Sequence, residues 1–250
     1  MADLSGRQRA AHGASGKPLP GAHRFLAAQI GHRVPMAEKT LRPKDAATLL
    51  LYRGGGDDLR VLLGQRHHGH IFMPNAYVFP GGRVNPADSR VAPESPLRAD
   101  VAARLERAAT PARARAIAVA AIRETYEETG LLIAAGENNG SEWHAKIGPR
   151  LGAIDYFFRA ITPPNRVRRF DARFFFAEAS AARGDLAGDG ELQNLGWFSL
   201  PEIRDLEMSG ITRIALAEFR RVIADPNPRG SDRPIPVSRF IRGRYQITPE

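Results

Sequence analysis

Between Thr110 and Gly130 the chain carries its most sharply framed element. Threonine accepts backbone N–H groups at a helix start, proline fits the first helical position, and glycine takes the left-handed turn that stops a helix. The spacing predicts a helix over Pro111–Thr129, 19 residues and roughly 28 Å long at the standard rise. The 250 residues around it suffice for one large domain or two small ones.

The segments before and after this helix read as strands and shorter helices. Ala47–Arg53 and Leu59–Gln65 are rich in Leu and Val and flank Gly54-Gly55-Gly56-Asp57-Asp58, the pattern of a β-hairpin. A loop with His67, His68 and His70 follows, read as solvated because no acidic partner at ligand spacing accompanies it. Tyr77–Phe79 reads as a strand that Gly81 and Gly82 end. Further on, helices are expected over Leu97–Ala108, Pro201–Met208 and Thr212–Ala224, and strands over Leu131–Ala134, Ala172–Glu178 and Leu195–Leu200. There is no internal repeat and no regular βαβ period, so a mixed sheet flanked by helices, an α/β fold, fits best.

Several classes are excluded at once. No apolar run approaches the roughly 18 residues of a membrane span. The chain has no cysteine, which removes disulfides, zinc–thiolate sites and thiol nucleophiles and fits a reducing, cytoplasmic setting. The net charge of +9 invites an anionic partner, and all but four of the 36 basic residues are arginines, which suit phosphate. They are spread along the chain, however, and an Arg- and Ala-rich composition also follows from a GC-rich genome. The first 35 residues hold five basic side chains against Asp3 alone. They read as a loose tail with a short helix near His23–His32, and an organelle-targeting segment stays open.

The chemistry concentrates at the end of the framed helix. At 100° per residue, Glu124, Glu127 and Glu128 fall within about 100° of arc on one face. Like charges at these spacings repel, and the helix C-terminus disfavours anions. A hard divalent cation such as Mg²⁺ or Mn²⁺ removes both penalties, since it prefers carboxylate oxygens. Arg123, four residues before Glu127, can steady that carboxylate. A plain charged surface is the competing reading of the three glutamates taken alone.

Their surroundings decide the matter. Pro80-Gly81-Gly82 precedes the helix, and its end reads Arg123-Glu124-x-x-Glu127-Glu128-x-Gly130-Leu131. This resembles the Nudix box, Gly-x5-Glu-x7-Arg-Glu-U-x-Glu-Glu-x-Gly-U, with U bulky and aliphatic. Three departures stand out. Asp88 holds the first acidic position, Thr125 stands at a U position and is expected to weaken packing there, and 35 positions separate Asp88 from Arg123 where the box has eight, an insertion of 27. Glu191, six residues before Trp197, matches a further metal-binding glutamate of many family members.

The resemblance covers roughly Ala46–Met208 and implies a Nudix-type α/β/α sandwich with a mixed sheet. The expected organisation is a basic tail and short helix over 1–45, the Nudix domain over 46–224 with the insertion 89–109, and a C-terminal tail over 225–250. Carried over residue by residue, Glu124, Glu127, Glu128 and Arg123 are catalytic. The metal, Mg²⁺ or Mn²⁺, is held by Glu124, Glu127, Glu128, Glu191 and the Gly81 carbonyl. Glu124 is either a ligand or the base.

The implied activity is metal-dependent cleavage of a small-molecule diphosphate. Phe72–Gly82, Arg168–Phe175 and the interrupted box resemble the acyl-CoA diphosphatase-like branch. They suggest CoA or acyl-CoA ahead of ADP-ribose, dinucleotides or nucleoside triphosphates, with Arg66, Arg168, Arg169 and Phe72 as substrate contacts. The insertion is expected to shape that choice. Two rivals remain. A nucleic-acid-binding protein lacks an RNP motif, basic helix or zinc-finger spacing here, and a non-catalytic sensor of the same fold would not need the three glutamates. A homodimer is open to such a chain, and no membrane partner is expected.

Overall fold

The computed structural model describes residues 41–69, 74–134, 148–164, 166–225 and 233–250. The expected tail helix near His23–His32 lies outside them, as do His70 and Phe72.

β1 (Lys44–Arg53) and β2 (Arg60–Arg66) form the hairpin anticipated around the Gly/Asp cluster, with Tyr52 opposite Val61. β3 (Tyr77–Val78) and β4 (Gly81–Arg83) follow, then α1 (Ala99–Glu106) and α2 (Pro111–Thr129). β5 (Asp155–Ile161), β6 (Phe170–Glu178), β7 (Leu192–Ser199), α3 (Leu200–Asp205), α4 (Gly210–Ile223), β8 (Pro236–Ile241) and β9 (Arg244–Pro249) complete the described chain. The strands make one mixed sheet in the order β3-β2-β1-β6-β5-β8-β9, with β4 on β1 and β7 on β2. β1 and β6 run parallel from Lys44–Phe170 to Tyr52–Glu178, side by side in the interior of the sheet.

Alternate residues of β1 and β2 feed opposite cores. Leu49, Leu51 and Leu62 join the α1/α2 side with Val101, Leu105, Ile117 and Ile122. Leu50, Val61 and Leu63 join the other side, with Phe157, Phe174 and Phe219 beneath α3 and α4. Strands buried on both faces read as unbroken apolar runs, hence the Leu-rich signature. The result is the α/β/α sandwich with a mixed sheet.

Four expectations change. Gly81 and Gly82 do not end a strand but lie in one, with Thr48 opposite Gly81 and Ala47 opposite Gly82. Gly81 has φ +154, and a side chain there would strike the Ala47 carbonyl, so only glycine lets β4 close on β1. Leu131–Ala134 makes only isolated bridges, Leu132 to Arg183 and Ala134 to Pro149. Residues 236–249, expected as tail, are β8 and β9, antiparallel to each other and docked on β5 through Arg159 and Val237. Thr125 is no weakness, because its buried hydroxyl donates to the Ala121 carbonyl at 2.8 Å within the helix.

The insertion leaves beside the glutamates but is anchored elsewhere. Ser95 and Arg98 bond to the segment ahead of β5, through Leu151, Gly152 and Ile154. Val101 and Leu105 of α1 sit in the core, and fully buried Arg104 shares the Asp155 carboxylate with Arg98 and Arg233. This segment completes the core. Its buried apolar face and its ion pairs fix it to the core and to the start of β5.

Candidate active site

α2 ends as its framing residues require. Thr110 Oγ1 accepts from the Arg113 N–H at 3.3 Å, and Gly130, at φ +75, donates its N–H to Tyr126 O at 2.8 Å. The last two turns set Glu124 against Gly82 and Glu128 on Gly81, both in β4, while Glu127 is held by Arg123.

Arg123 is the hub that ties the two halves of the motif together across the insertion. Its Nε and Nη2 donate to the Asp88 carboxylate at 2.8 and 3.2 Å, and Nη2 also donates to Arg83 O at 2.9 Å. Its Nη1 donates to Glu127 Oε2 at 2.7 Å and lies 2.9 Å from Glu124 Oε1. Asp88 is fully buried, and its other contact accepts from the Asn85 N–H at 2.7 Å. So Asp88 orients Arg123, and Arg123 steadies Glu127 as its i,i+4 spacing suggested.

Glu128 is 4% exposed, and its Oε2 accepts from the Gly81 N–H at 2.8 Å. Burial pushes its carboxyl well above the usual range, and Glu124 and Glu191 add to the rise against the Gly81 bond and Arg66. Glu124 lies against Gly82, where any side chain would strike its carboxylate. Burial pushes it up to about 7, with Glu127 and Glu191 adding and Arg123 opposing. Glu191 stands just ahead of β7, with its carbonyl accepting from the His67 N–H at 3.4 Å. Its charge acts on Glu124 and Glu128, raising both carboxyls further.

The substrate-binding candidates divide. Arg66 ends β2 beside this cluster, within the fields of Glu128 and Glu191. Arg169 is instead spent on the carbonyls of Leu41 and Thr162 at the amino end of β1, and Arg168 is exposed on the connection between β5 and β6. The buried partner that sequence reasoning left unassigned is Asp88, whose distance from Arg123 along the chain hid their contact.

Among the described residues no three His, Asp or Glu side chains close to within ion-binding distance. Glu127 is paired with Arg123. The donor set nevertheless fits a hard divalent ion: all oxygen, anionic in excess of its arginines, and with two members driven toward protonation by burial and mutual repulsion. When bound, such an ion neutralises a diphosphate and lowers the pKa of water.

No protein-family model matches the chain, and no curated protein sequence does. Solved structures do. A NUDIX hydrolase from Alicyclobacillus acidocaldarius is 26% identical and superposes with a TM-score of 0.54 over 72% of this chain and 91% of that one. A MutT protein from Methanosarcina mazei Go1 is 16% identical at a TM-score of 0.47 over 75% and 100%. The NUDIX domain of Shewanella oneidensis NrtR, solved with ADP ribose, is 13% identical at 0.45 over 73% and 90%. The first of these, together with the sandwich and its mixed sheet, sets the fold: it is the fold of Nudix hydrolases. No helix among the described residues is long and apolar enough to cross a membrane.

Proposed function

We propose that the chain hydrolyses the diphosphate linkage of CoA or acyl-CoA, using Mg²⁺ or Mn²⁺ held by Glu124, Glu127, Glu128 and Glu191 with the Gly81 carbonyl. The observation that carries the chemistry is the placement of Glu128 on the Gly81 N–H and of Glu124 against Gly82, at the C-terminal end of one helix. Glu124, set against Gly82 beside Glu128, is either a ligand of the ion or the base that takes a proton from water. Glu128 is fixed by Gly81, and Arg123 holds Glu127 and is itself fixed by Asp88. None of these roles needs a covalent intermediate.

The substrate reading rests on the approach Phe72–Gly82 and the interrupted box, and on arginines for the additional 3′-phosphate. Of these, exposed Arg168 has its fork available for that group, whereas Arg169 is committed to backbone carbonyls. A charge-assisted contact of about 1.5–3 kcal/mol makes CoA roughly 10- to 100-fold better than dephospho-CoA. Comparing kcat/KM for CoA, dephospho-CoA and ADP-ribose tests this directly. A preference for ADP-ribose, or indifference to the 3′-phosphate, defeats the CoA reading and leaves the enzyme class standing.

A further inference from the structure

Leu41, Val167 and Leu186 are the large apolar side chains left exposed among the described residues, and the first two belong to one patch. The Arg169 guanidinium donates to the Leu41 carbonyl through Nη1 and to Thr162 O through Nε at 3.1 Å, while the Arg169 carbonyl accepts from the Lys44 N–H at 2.9 Å. Val167 stands two residues from Arg169, at most about 7 Å along the chain. The turn that carries it is closed at its base: the Thr162 N–H donates to Phe170 O at 2.9 Å and the Phe170 N–H to Thr162 Oγ1 at 3.0 Å. The segment entering β1 and the turn between β5 and β6 are thereby stapled into one surface. That surface is cationic without internal compensation. Val167 sits between Arg166 and Arg168, Leu41 precedes Arg42 and Lys44, and neither 41–44 nor 162–170 contains an acid. Asp45 and Asp171, the first acids beyond, are taken by Arg113, Arg173 and Arg159. Arg42, Lys44, Arg166 and Arg168 enter no ion pair among the described residues.

We propose that this patch docks the protein on an anionic phospholipid surface, with Val167 and Leu41 entering the interfacial zone and the surrounding cations on the headgroups. Four unpaired cations select an anionic partner. Val167 is 81% exposed, so it projects from the surface instead of lining a groove, and helical or proline-rich peptides need a groove to fill. Neither Leu41–Lys44 nor Arg166–Arg168 holds an aromatic ring on which a nucleic-acid base would stack. An aliphatic projection between guanidinium groups fits a lipid surface, because the apolar group passes the headgroups while the planar forks take their phosphates. Such docking is peripheral and needs no spanning helix. It is also independent of the reaction proposed above.

The test is co-sedimentation of the full chain with vesicles of phosphatidylcholine alone, or of phosphatidylcholine with about one-third phosphatidylserine, near physiological salt. Three paired variants are compared with wild type: Leu41→Ser with Val167→Ser, Arg42→Gln with Arg166→Gln, and Arg204→Gln with Arg220→Gln. The last pair removes equal charge from exposed positions on α3 and α4. Arg168 is left intact, since it is the candidate contact for a 3′-phosphate. All the substituted side chains are at least partly exposed, and circular dichroism verifies that each variant folds. Wild type should bind the phosphatidylserine vesicles and not the neutral ones. The Arg42/Arg166 pair should lower that affinity roughly 10-fold or more and the Leu41/Val167 pair several-fold, while the Arg204/Arg220 pair leaves it unchanged. No binding to phosphatidylserine vesicles overturns the proposal. So does an equal loss in the Arg204/Arg220 pair, which would make the attraction one of net charge, or full binding by the Leu41/Val167 pair. Tighter capture of poly-glutamate or single-stranded DNA than of the vesicles would assign the patch to another partner and overturn it as well.

Discussion

Replacing Glu124 by glutamine should stabilise the metal-free protein, and only above a definite pH. Burial raises the Glu124 carboxyl from 4.5 to about 7 in the folded protein, so the folded state binds this proton more tightly than the unfolded one. The resulting stability is fully present below about pH 4.5 and is lost as pH rises toward 7. At 1.36 kcal/mol per pH unit, that window is worth on the order of 3 kcal/mol. For a chain of this size, roughly 2–4 °C accompany each kcal/mol, which puts the ceiling for Glu124→Gln near 10 °C at pH 8. Glu128 is raised in the same direction and keeps part of the pH slope in the variant. Thermal unfolding followed by circular dichroism in EDTA at pH 5 and pH 8 measures both. The variant should exceed wild type at pH 8 and approach it at pH 5, and Mg²⁺ should narrow the gap by neutralising wild-type Glu124. Equal melting temperatures at pH 8, or an equal gap at both pH values, would refute the electrostatic account.

Two further substitutions probe the frame. Gly82→Ala places a methyl on the Glu124 carboxylate, so kcat should fall about 100-fold with the fold retained by circular dichroism; an unchanged kcat would mean Glu124 does not work from this position. Asp155→Asn leaves Arg98, Arg104 and Arg233 without their shared buried carboxylate and should cost about 3–5 kcal/mol in urea unfolding. A loss below about 1 kcal/mol would show that the insertion is not anchored there.

Where the signal is local, the sequence is legible. α2 runs from Pro111 to Thr129 as its cap, proline and glycine dictate, and the β1–β2 hairpin follows from two apolar runs around a glycine cluster. β5 was not legible because Asp155, Arg159 and its aromatic residues carry no clean alternation, and its charges are satisfied by partners outside the strand, Arg98, Arg104 and Arg233 for Asp155 and Asp171 and Glu250 for Arg159. β8 and β9 were hidden for a related reason, since they gain stability from pairing with each other and with β5, not from intrinsic pattern. At the site, the glutamates and the Arg123–Glu127 pair could be read from helical spacing. The Arg123–Asp88 bond could not, because the two residues stand 35 apart in sequence, across the insertion.

The central claim, that these carboxylates support ion-dependent cleavage of a diphosphate, is tested most directly by incubating CoA and ADP-ribose with wild type and Glu128→Gln, in Mg²⁺, Mn²⁺ or EDTA, and identifying products by mass. The account predicts scission between the two phosphates with either ion, none in EDTA, and none from a folded Glu128→Gln protein. Wild-type turnover by Glu128→Gln at saturating Mg²⁺, or undiminished turnover in EDTA, would contradict it.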